Sequence, residues 1–344
     1  MGAAARLQEG VTEDAIFQMG LGEGLLKVPN APLPPLEEDR PETVARRHVE
    51  QCHLPEFSFA FDFMSDYLTM MDMLAKSITR ELHDLCGITP LQYRILLRML
   101  APSPILATQL AQDLCVGVST VSIALSKLVD RLLVSRHDSA KDMRSIELSL
   151  TGQGRKMIER ADEAIYAVMA QYWSTLTQEQ LEAAIISSLS AVKRHSYPRM
   201  ENGSPRLDTA LVDTVMISRR LTSHALQEAG LTINDYRILL ALKIMGASCP
   251  TTEVARFLFL NASDITGCLK NLEGCGSITR SRAEDNRRLR MIRLTPKGED
   301  QVRSLLPVVF DALHETCHSS DALIDVHISA ARDLVARRRQ HSTF

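Results

Sequence analysis

Two short stretches concentrate side chains that can neutralise phosphate: Arg136, His137, Lys141 and Arg144 in one, and Arg280, Arg282, Arg287, Arg288, Arg290 and Arg293 in the other. A charge run on a hairpin is ordinarily a solvated face with no partner. It acquires a chemistry only beside an element that fits a DNA groove, because phosphate neutralisation supplies most of the sequence-independent affinity for a duplex. Such an element precedes each stretch. A helix from about Ser119 to Leu132 turns Val118, Val121, Leu125 and Leu128 inward and Ser119, Thr120, Ser122, Ile123, Ser126 and Lys127 outward. Short hydroxyls suit phosphate oxygens, and Ile123 suits a thymine methyl, more than arginine-to-guanine reading. The second helix presents Ser263, Asp264, Thr266, Gly267, Lys270 and Asn271. Asp264 is repelled by phosphate but can accept from cytosine N4, so the two faces are not expected to read the same bases. Double-stranded DNA is the expected partner.

Other chemistry is thin. His314-Glu315-Thr316-Cys317-His318 matches the helix motif of zinc proteases, with histidines at i and i+4. A protease also needs a third ligand, a cleft and an open coordination position, and nothing in the sequence supplies them, so polar residues on a helix flank are the favoured reading. No paired carboxylates, nucleophile motif or phosphate-cradling glycine loop is recognisable; neither an enzyme nor a cofactor is expected. The seven cysteines are odd in number, dispersed and without a Cys-x-x-Cys pair, which argues against a disulfide framework or zinc ribbon and fits a reducing cytoplasm. A net charge of −3 excludes coating nucleic acid by overall charge and leaves the local patches to carry the case. No apolar run has the length of a signal peptide or membrane span, so no membrane role is implied.

The elements that must position these side chains are mostly helical, since leucine, alanine, methionine and isoleucine are abundant and aromatics are 5% of 344 residues. Phe59, Phe63, Tyr67, Met70, Leu74, Ile78, Leu82 and Leu85 form one helical stripe, ended by Gly87. Thr89 and Pro90 cap and open the next helix. A short helix around Leu106 to Leu114 and a tight turn through Cys115 lead to the outward-facing helix, whose Val121 and Leu125 share a face with Ala111 and Leu114. Each basic stretch then reads as a hairpin tip, a return strand and Leu-Thr-x-x-Gly opening a helix, the threonine placed as cap: Leu150, Thr151 and Gly154, then Leu294, Thr295 and Gly298. Tyr93-Arg94-Ile95-Leu96-Leu97 recurs letter for letter as Tyr236 to Leu240, and Ala255, Leu258, Ile265 and Leu269 repeat the helix-turn-helix spacing. The repeated unit is a whole domain. The expected organisation is a Pro-containing flexible extension over 1–55, winged-helix domains over 56–196 and 206–344, and a linker over 197–205.

On Asp142, Arg144, Leu150, Thr151 and Gly154, answered by Asn286, Arg288, Leu294, Thr295 and Gly298, the chain resembles the MarR family of winged-helix transcription regulators over about residues 57 to 340. The resemblance implies a mostly α fold with small β wings, in which the first and last two helices form the dimer interface, the second helix-turn-helix helix enters the major groove and the wing arginine the minor groove. One chain would carry both halves of the usual dimer, similar to two-domain Sar-type regulators: a monomeric pseudo-dimer, or a homodimer if each half pairs with another chain. The implied function is a cytoplasmic, ligand-responsive repressor on one bipartite, imperfectly symmetric operator. Alternatives are a scaffold module in which one repeat no longer binds DNA, and a zinc-responsive regulator using His314, His318 and Cys317. The family's effector pocket maps onto Tyr67, Met71, Tyr93 and Arg94, and onto Arg220, His224, Tyr236 and Arg237. Oxidant-sensing relatives direct attention to Cys52, Cys86 and Cys268. The chain departs from the pattern at Cys115 and Phe259, where a turn glycine is common, at Asn286 for the wing aspartate, and at Leu132-Leu133 for a Gly-Leu entry to the wing.

Overall fold

The computed structural model describes residues 57–100, 104–138, 146–195, 207–246, 248–283, 290–317 and 321–341. The extension over 1–55, the linker over 197–205, and Lys141, Arg144, Arg287 and Arg288 lie outside them.

Helix α1 (Phe57–Glu81) buries the apolar stripe that its spacing requires, from Phe63 through Tyr67, Met70 and Leu74 to Ile78. It runs into a π-helical turn at Leu82–Cys86 that Gly87 closes in the left-handed region, φ 64°, its N–H bonding back to the His83 carbonyl. Helix α2 (Pro90–Arg98) opens on a full capping box: the Thr89 hydroxyl accepts from Gln92 N, and Gln92 Oε1 accepts from Thr89 N at 2.9 Å. Then come β1 (Ile105–Leu106), α3 (Ala107–Leu114), α4 (Val118–Asp130), β2 (Val134–Asp138), β3 (Ile146–Leu150), α5 (Gly152–Trp173) and α6 (Gln178–His195).

The same order follows: α7 (Leu207–Gln227), α8 (Ile233–Met245), β4 (Cys249–Pro250), α9 (Thr251–Phe257), α10 (Ala262–Gly274), β5 (Ile278–Arg282), β6 (Arg290–Leu294), α11 (Pro296–Cys317) and α12 (Asp321–His341). Both sheets are antiparallel and three-stranded, ordered β1-β3-β2 and β4-β6-β5. The fold is thus mostly α with two small β wings, as the composition and the resemblance implied. The two-residue strands β1 and β4 are additions: they seat each wing's return strand at Ile105↔Leu148 and Cys249↔Ile292, and are too short to show a period-2 pattern.

The described residues form two compact units that do not follow chain order. One holds Leu74–Ile217; the other holds residues 57–73 of α1 with Ser218–Thr316 and 321–341. Helices α1 and α7 are each divided between them. In the first unit Tyr93, Ile95, Leu96 and Leu97 pack in the core with Leu110, Leu114, Val121 and Leu125; in the second, Tyr236, Ile238, Leu239 and Leu240 do so with Val254, Leu258, Ile265 and Leu269.

The arginine inside each repeated pentapeptide is also buried, and in each unit a carboxylate neutralises it. Asp213 of α7 accepts from Arg94 Nε and, at 2.7 Å, from Arg98. Burial alone would push the Asp213 carboxyl up, but the charges and hydrogen bonds of Arg94 and Arg98 outweigh it and hold it below the ordinary 3.8. In the second unit Asp72 of α1 meets Arg237 at 2.8 Å and Arg219 at 3.1 Å.

Candidate nucleic-acid interface

Helices α3 and α4 are bent 116° from one another, within the range of a helix-turn-helix. The turns that lack glycine still adopt its conformation: Cys115 and Phe259 both sit at φ 52°. Non-glycine residues there cost about 1–2 kcal/mol each, which the buried face shared by Ala111, Leu114, Val121 and Leu125 must offset.

On α4, Ser119, Thr120, Ser122, Ile123, Ser126 and Lys127 are all exposed, Ile123 at 64%, while Val121, Leu125 and Leu128 are buried. Val118, expected inward, is 47% exposed. It is the first residue of the helix, and because helical side chains lean toward the N-terminus it leans off the helix start rather than over a packed turn. Ser122 Oγ donates to the Val118 carbonyl at 2.9 Å and would have to release it to reach a phosphate. Ser119, Thr120 and Ser126 make no side-chain hydrogen bond among the described residues, so their hydroxyls are ready donors.

Helix α10 is more tied down. Asn261 caps it by accepting from Asp264 N at 2.7 Å, and Asp264 is half-buried. Thr266 Oγ1 donates to the Ala262 carbonyl at 2.6 Å. Asn271, grouped by its spacing with the outward side chains, is exposed and also donates to Asp235 Oδ2 at 2.8 Å, the same carboxylate oxygen that accepts from Thr232 N in the capping box of α8. Ser263 and Lys270 are exposed.

Leu-Thr-x-x-Gly is the joint between wing and helix. Thr151 Oγ1 accepts from Gly154 N at 2.9 Å and donates to the Leu132 carbonyl at 2.8 Å; Thr295 does the same with Gly298 N at 3.1 Å and the Gly276 carbonyl at 2.7 Å. The glycine is required because a Cβ at Gly154 or Gly298 would strike the carbonyl oxygen of Leu133 or Ser277. Gly276 takes the left-handed conformation at the second wing's entry (φ 72°), and Leu132 takes it at the first (φ 58°), 70% exposed.

The strands register Arg136 opposite Leu148 in the first wing, and Arg282 directly opposite Arg290 in the second. Like charges in direct cross-strand register are destabilising. Both arginines of the second wing are exposed, and neither forms an ion pair among the described residues; Arg280 pairs with Glu273 of α10. The spacing gave no sign of Arg131, whose guanidinium bonds the carbonyls of Gly87 at 2.7 Å and Cys86 at 3.0 Å, tying the end of α4 to the π-helical turn that follows α1. A cation after a recognition helix resembles a DNA contact in sequence, and only the position of that turn distinguishes the two.

The candidate effector residues fall largely within the two cores. In the first unit Tyr93 donates to Asp162 at 2.6 Å and Arg94 is paired with Asp213. In the second, Tyr67 shares a hydrogen bond with Ser218 at 3.0 Å, Tyr236 donates to the Val302 carbonyl at 3.2 Å, Met71 is buried and Arg237 is paired with Asp72. An anionic ligand would have to displace a carboxylate at Arg94 or Arg237. Arg220 is half-buried and His224 exposed.

His314 lies on α11, whereas His318 and the Cys317 side chain fall outside the described residues; among the described residues no group of three His, Cys, Asp or Glu side chains could hold a metal. Cys52 also lies outside. Burial pushes the Cys86 thiol up, and burial with the Asp235 carboxylate pushes Cys268 up to about 12, both away from the reactive thiolate. Among the described residues no single helix is long and apolar enough to cross a membrane.

No protein-family model matches the chain. Individual relatives do. The HTH-type transcriptional repressor MdtR of Bacillus subtilis is 31% identical over 133 residues, 38% of this chain and 86% of the relative. The HTH-type transcriptional regulator SarZ of Staphylococcus saprophyticus is 34% identical over 115 residues, 33% of this chain and 77% of the relative. Among solved structures, AbsC, a MarR family transcriptional regulator from Streptomyces coelicolor, is 21% identical with a TM-score of 0.30, covering 33% of this chain and 80% of its own. With identity of this level running through most of MdtR, the chain belongs to the MarR family of winged-helix transcription regulators.

Proposed function

We propose that the chain is a sequence-specific repressor in which two MarR-type domains, fused in tandem over 56–196 and 206–344, bind one bipartite, imperfectly symmetric operator. The doubled element order and the matching order of the two sheets support the fusion. One observation carries the DNA contact: Arg282 is held opposite Arg290 on an exposed wing, a repulsion that an anion such as a phosphate would relieve. The first repeat contributes Ser119, Thr120, Ile123, Ser126, Lys127 and Arg136, the second Ser263, Lys270, Arg282 and Arg290, and Lys141, Arg144, Arg287 and Arg288, outside the described residues, add further positive charge for the phosphates. Half-sites about one helical turn apart follow from two recognition helices on one DNA face. Release by a small-molecule effector completes the reading, with Arg220 and His224 as the contacts least enclosed by the core.

Selection of the full chain on random duplexes tests it. A bipartite site is expected, and Arg282→Ala with Arg290→Ala should flatten the salt dependence of binding by about 0.9 in log–log slope for each phosphate the variant no longer neutralises. No enrichment, or an unchanged slope, overturns the proposal. The scaffold alternative draws on Asp264 and on Glu273 holding Arg280, both of which reduce the positive face of the second repeat. A single short half-site would favour it.

A further inference from the structure

Helix α9 ends with two consecutive carbonyls, Phe257 and Leu258, beyond the reach of its own backbone donors, as at every helix C-terminus. In the second unit each is taken by an arginine from a different helix. Arg237 of α8 donates to the Leu258 carbonyl at 2.6 Å. Arg339 of α12 donates to the Phe257 carbonyl at 3.3 Å, with its guanidinium 3.7 Å from the centre of the Phe257 ring. Each arginine is held from its other side by a carboxylate of α1: Asp72 meets Arg237 at 2.8 Å, and Asp66 meets Arg339 at 2.9 Å.

We infer that Asp66 and Asp72 are positioning residues for DNA binding by the second repeat, holding through Arg339 and Arg237 the turn that aims α10. The inference rests on the DNA-binding reading above. The relay stops at the turn: after Leu258 comes Phe259 in the left-handed conformation, and α10 begins three residues later at Ala262. Arg237 is fully buried; Arg339, about three-quarters buried, also feels the Asp62 carboxylate of α1 and so leans less on Asp66 than Arg237 does on Asp72. Desolvation therefore makes each depend on its carboxylate to stay in place. The carboxylates come from the leading helix of the first repeat, yet residues 57–73 belong by contacts to the second unit. In the first unit Asp213 accepts from Arg94 and from Arg98 of the same helix.

The test uses the full chain and a duplex that the wild type selects from random oligonucleotides, read by hydroxyl-radical footprinting. The half belonging to the second repeat is identified by its weakening in Arg290→Ala. Asp72→Asn should raise the concentration for half-protection of that half about tenfold, equivalent to 1.4 kcal/mol, and Asp66→Asn about threefold, with the other half unchanged. Val309→Ala, a cavity in the same unit that removes no relay side chain, should lower the melting temperature without moving the footprint. Equal loss over both halves, an unchanged footprint in both carboxylate variants, or a footprint shift in Val309→Ala as large as that in Asp72→Asn overturns the inference. So does failure of both carboxylate variants to fold, which would make them determinants of the fold. If the wild type selects no duplex, the DNA-binding reading fails, and the relay falls with it.

Discussion

Two glycine-to-alanine substitutions in the second repeat should shift stability in opposite directions. Gly267 lies inside α10 with nothing within 4 Å of a built Cβ, so alanine there restores helix propensity and stabilises by about 1 kcal/mol. Gly298 lies in the first turn of α11, where a Cβ would strike the Ser277 carbonyl oxygen and come within 2.9 Å of Leu294 Cδ2. Leu294 could move, but the carbonyl could not: it already accepts from Thr295 N and Thr295 Oγ1, each at 3.1 Å. Overpacking against fixed backbone costs about 1–3 kcal/mol, and in the first turn the compensating gain in propensity is small. The two variants should therefore differ by about 2–4 kcal/mol. For a unit of this size each kcal/mol moves the melting temperature by about 2–4 °C. Thermal melts of the full chain followed by far-UV circular dichroism should show the unit-two transition rising in Gly267→Ala and falling in Gly298→Ala. If Gly298→Ala melts at or above the wild type, the contact between helix and wing base is not tight, and the account of Leu-Thr-x-x-Gly as a steric joint is wrong.

Two further predictions concern the buried carboxylates. Asp213→Asn should cost about 3–5 kcal/mol, because two buried guanidiniums lose their counter-ion; since the Asp213 carboxyl is held below 3.8, its contribution is present above that pH and lost as pH falls through the lower folded value, which urea melts below pH 4 would detect as a wild-type slope missing from the variant. Asp66 has the opposite sign: burial, working against the Arg339 and Arg332 charges and assisted by Asp62, pushes it up from 3.8 to about 6, so its stabilising share is full below pH 3.8 and disappears as pH rises to about 6, and Asp66→Asn should flatten stability across that window.

What was legible in the sequence was local. Thr151 and Thr295 cap by accepting from Gly154 N and Gly298 N within the same few residues, so residue types at fixed spacing determine that geometry; the room the glycines make for the Leu133 and Ser277 carbonyls, across each wing, is visible only in the fold. The exposure of Ser119, Ile123 and Lys127 followed from a 3.6-residue period anchored by Val121, Leu125 and Leu128. What was not legible depended on distant partners or on a chain end. The family resemblance assigned Arg94 and Arg237 to an effector pocket, whereas each is paired with a carboxylate from far along the chain: the Asp213 that pairs with Arg94 lies 119 residues away, and Asp72 of α1 pairs with Arg237. Asn271 is exposed, as its spacing implied, and only its bond to Asp235, 36 residues earlier, was not foreseeable. Val118 failed the periodicity rule because that rule describes helix interiors and not first residues.

These particulars sharpen the contrast between the two repeats. A recognition helix reads bases only if its position is reproducible, and α10 is held at its start by Asn261, along its length by Asn271 on α8, and at the preceding turn by the arginines on Phe257 and Leu258. Its outward side chains are nevertheless poor readers: Thr266 is bonded to its own helix, Asp264 is half-buried and Gly267 has no side chain. Helix α4 has the reverse character, with three hydroxyls that make no side-chain hydrogen bond among the described residues and an exposed isoleucine suited to a thymine methyl. Anchoring without readout makes sense if the second repeat's helix sets the height of its wing above the backbone, where Arg282 and Arg290 need a phosphate between them more than they need a particular base. On that argument, and under the proposed DNA-binding function, the expectation is that most of the sequence discrimination belongs to the first repeat and most of the electrostatic grip to the second.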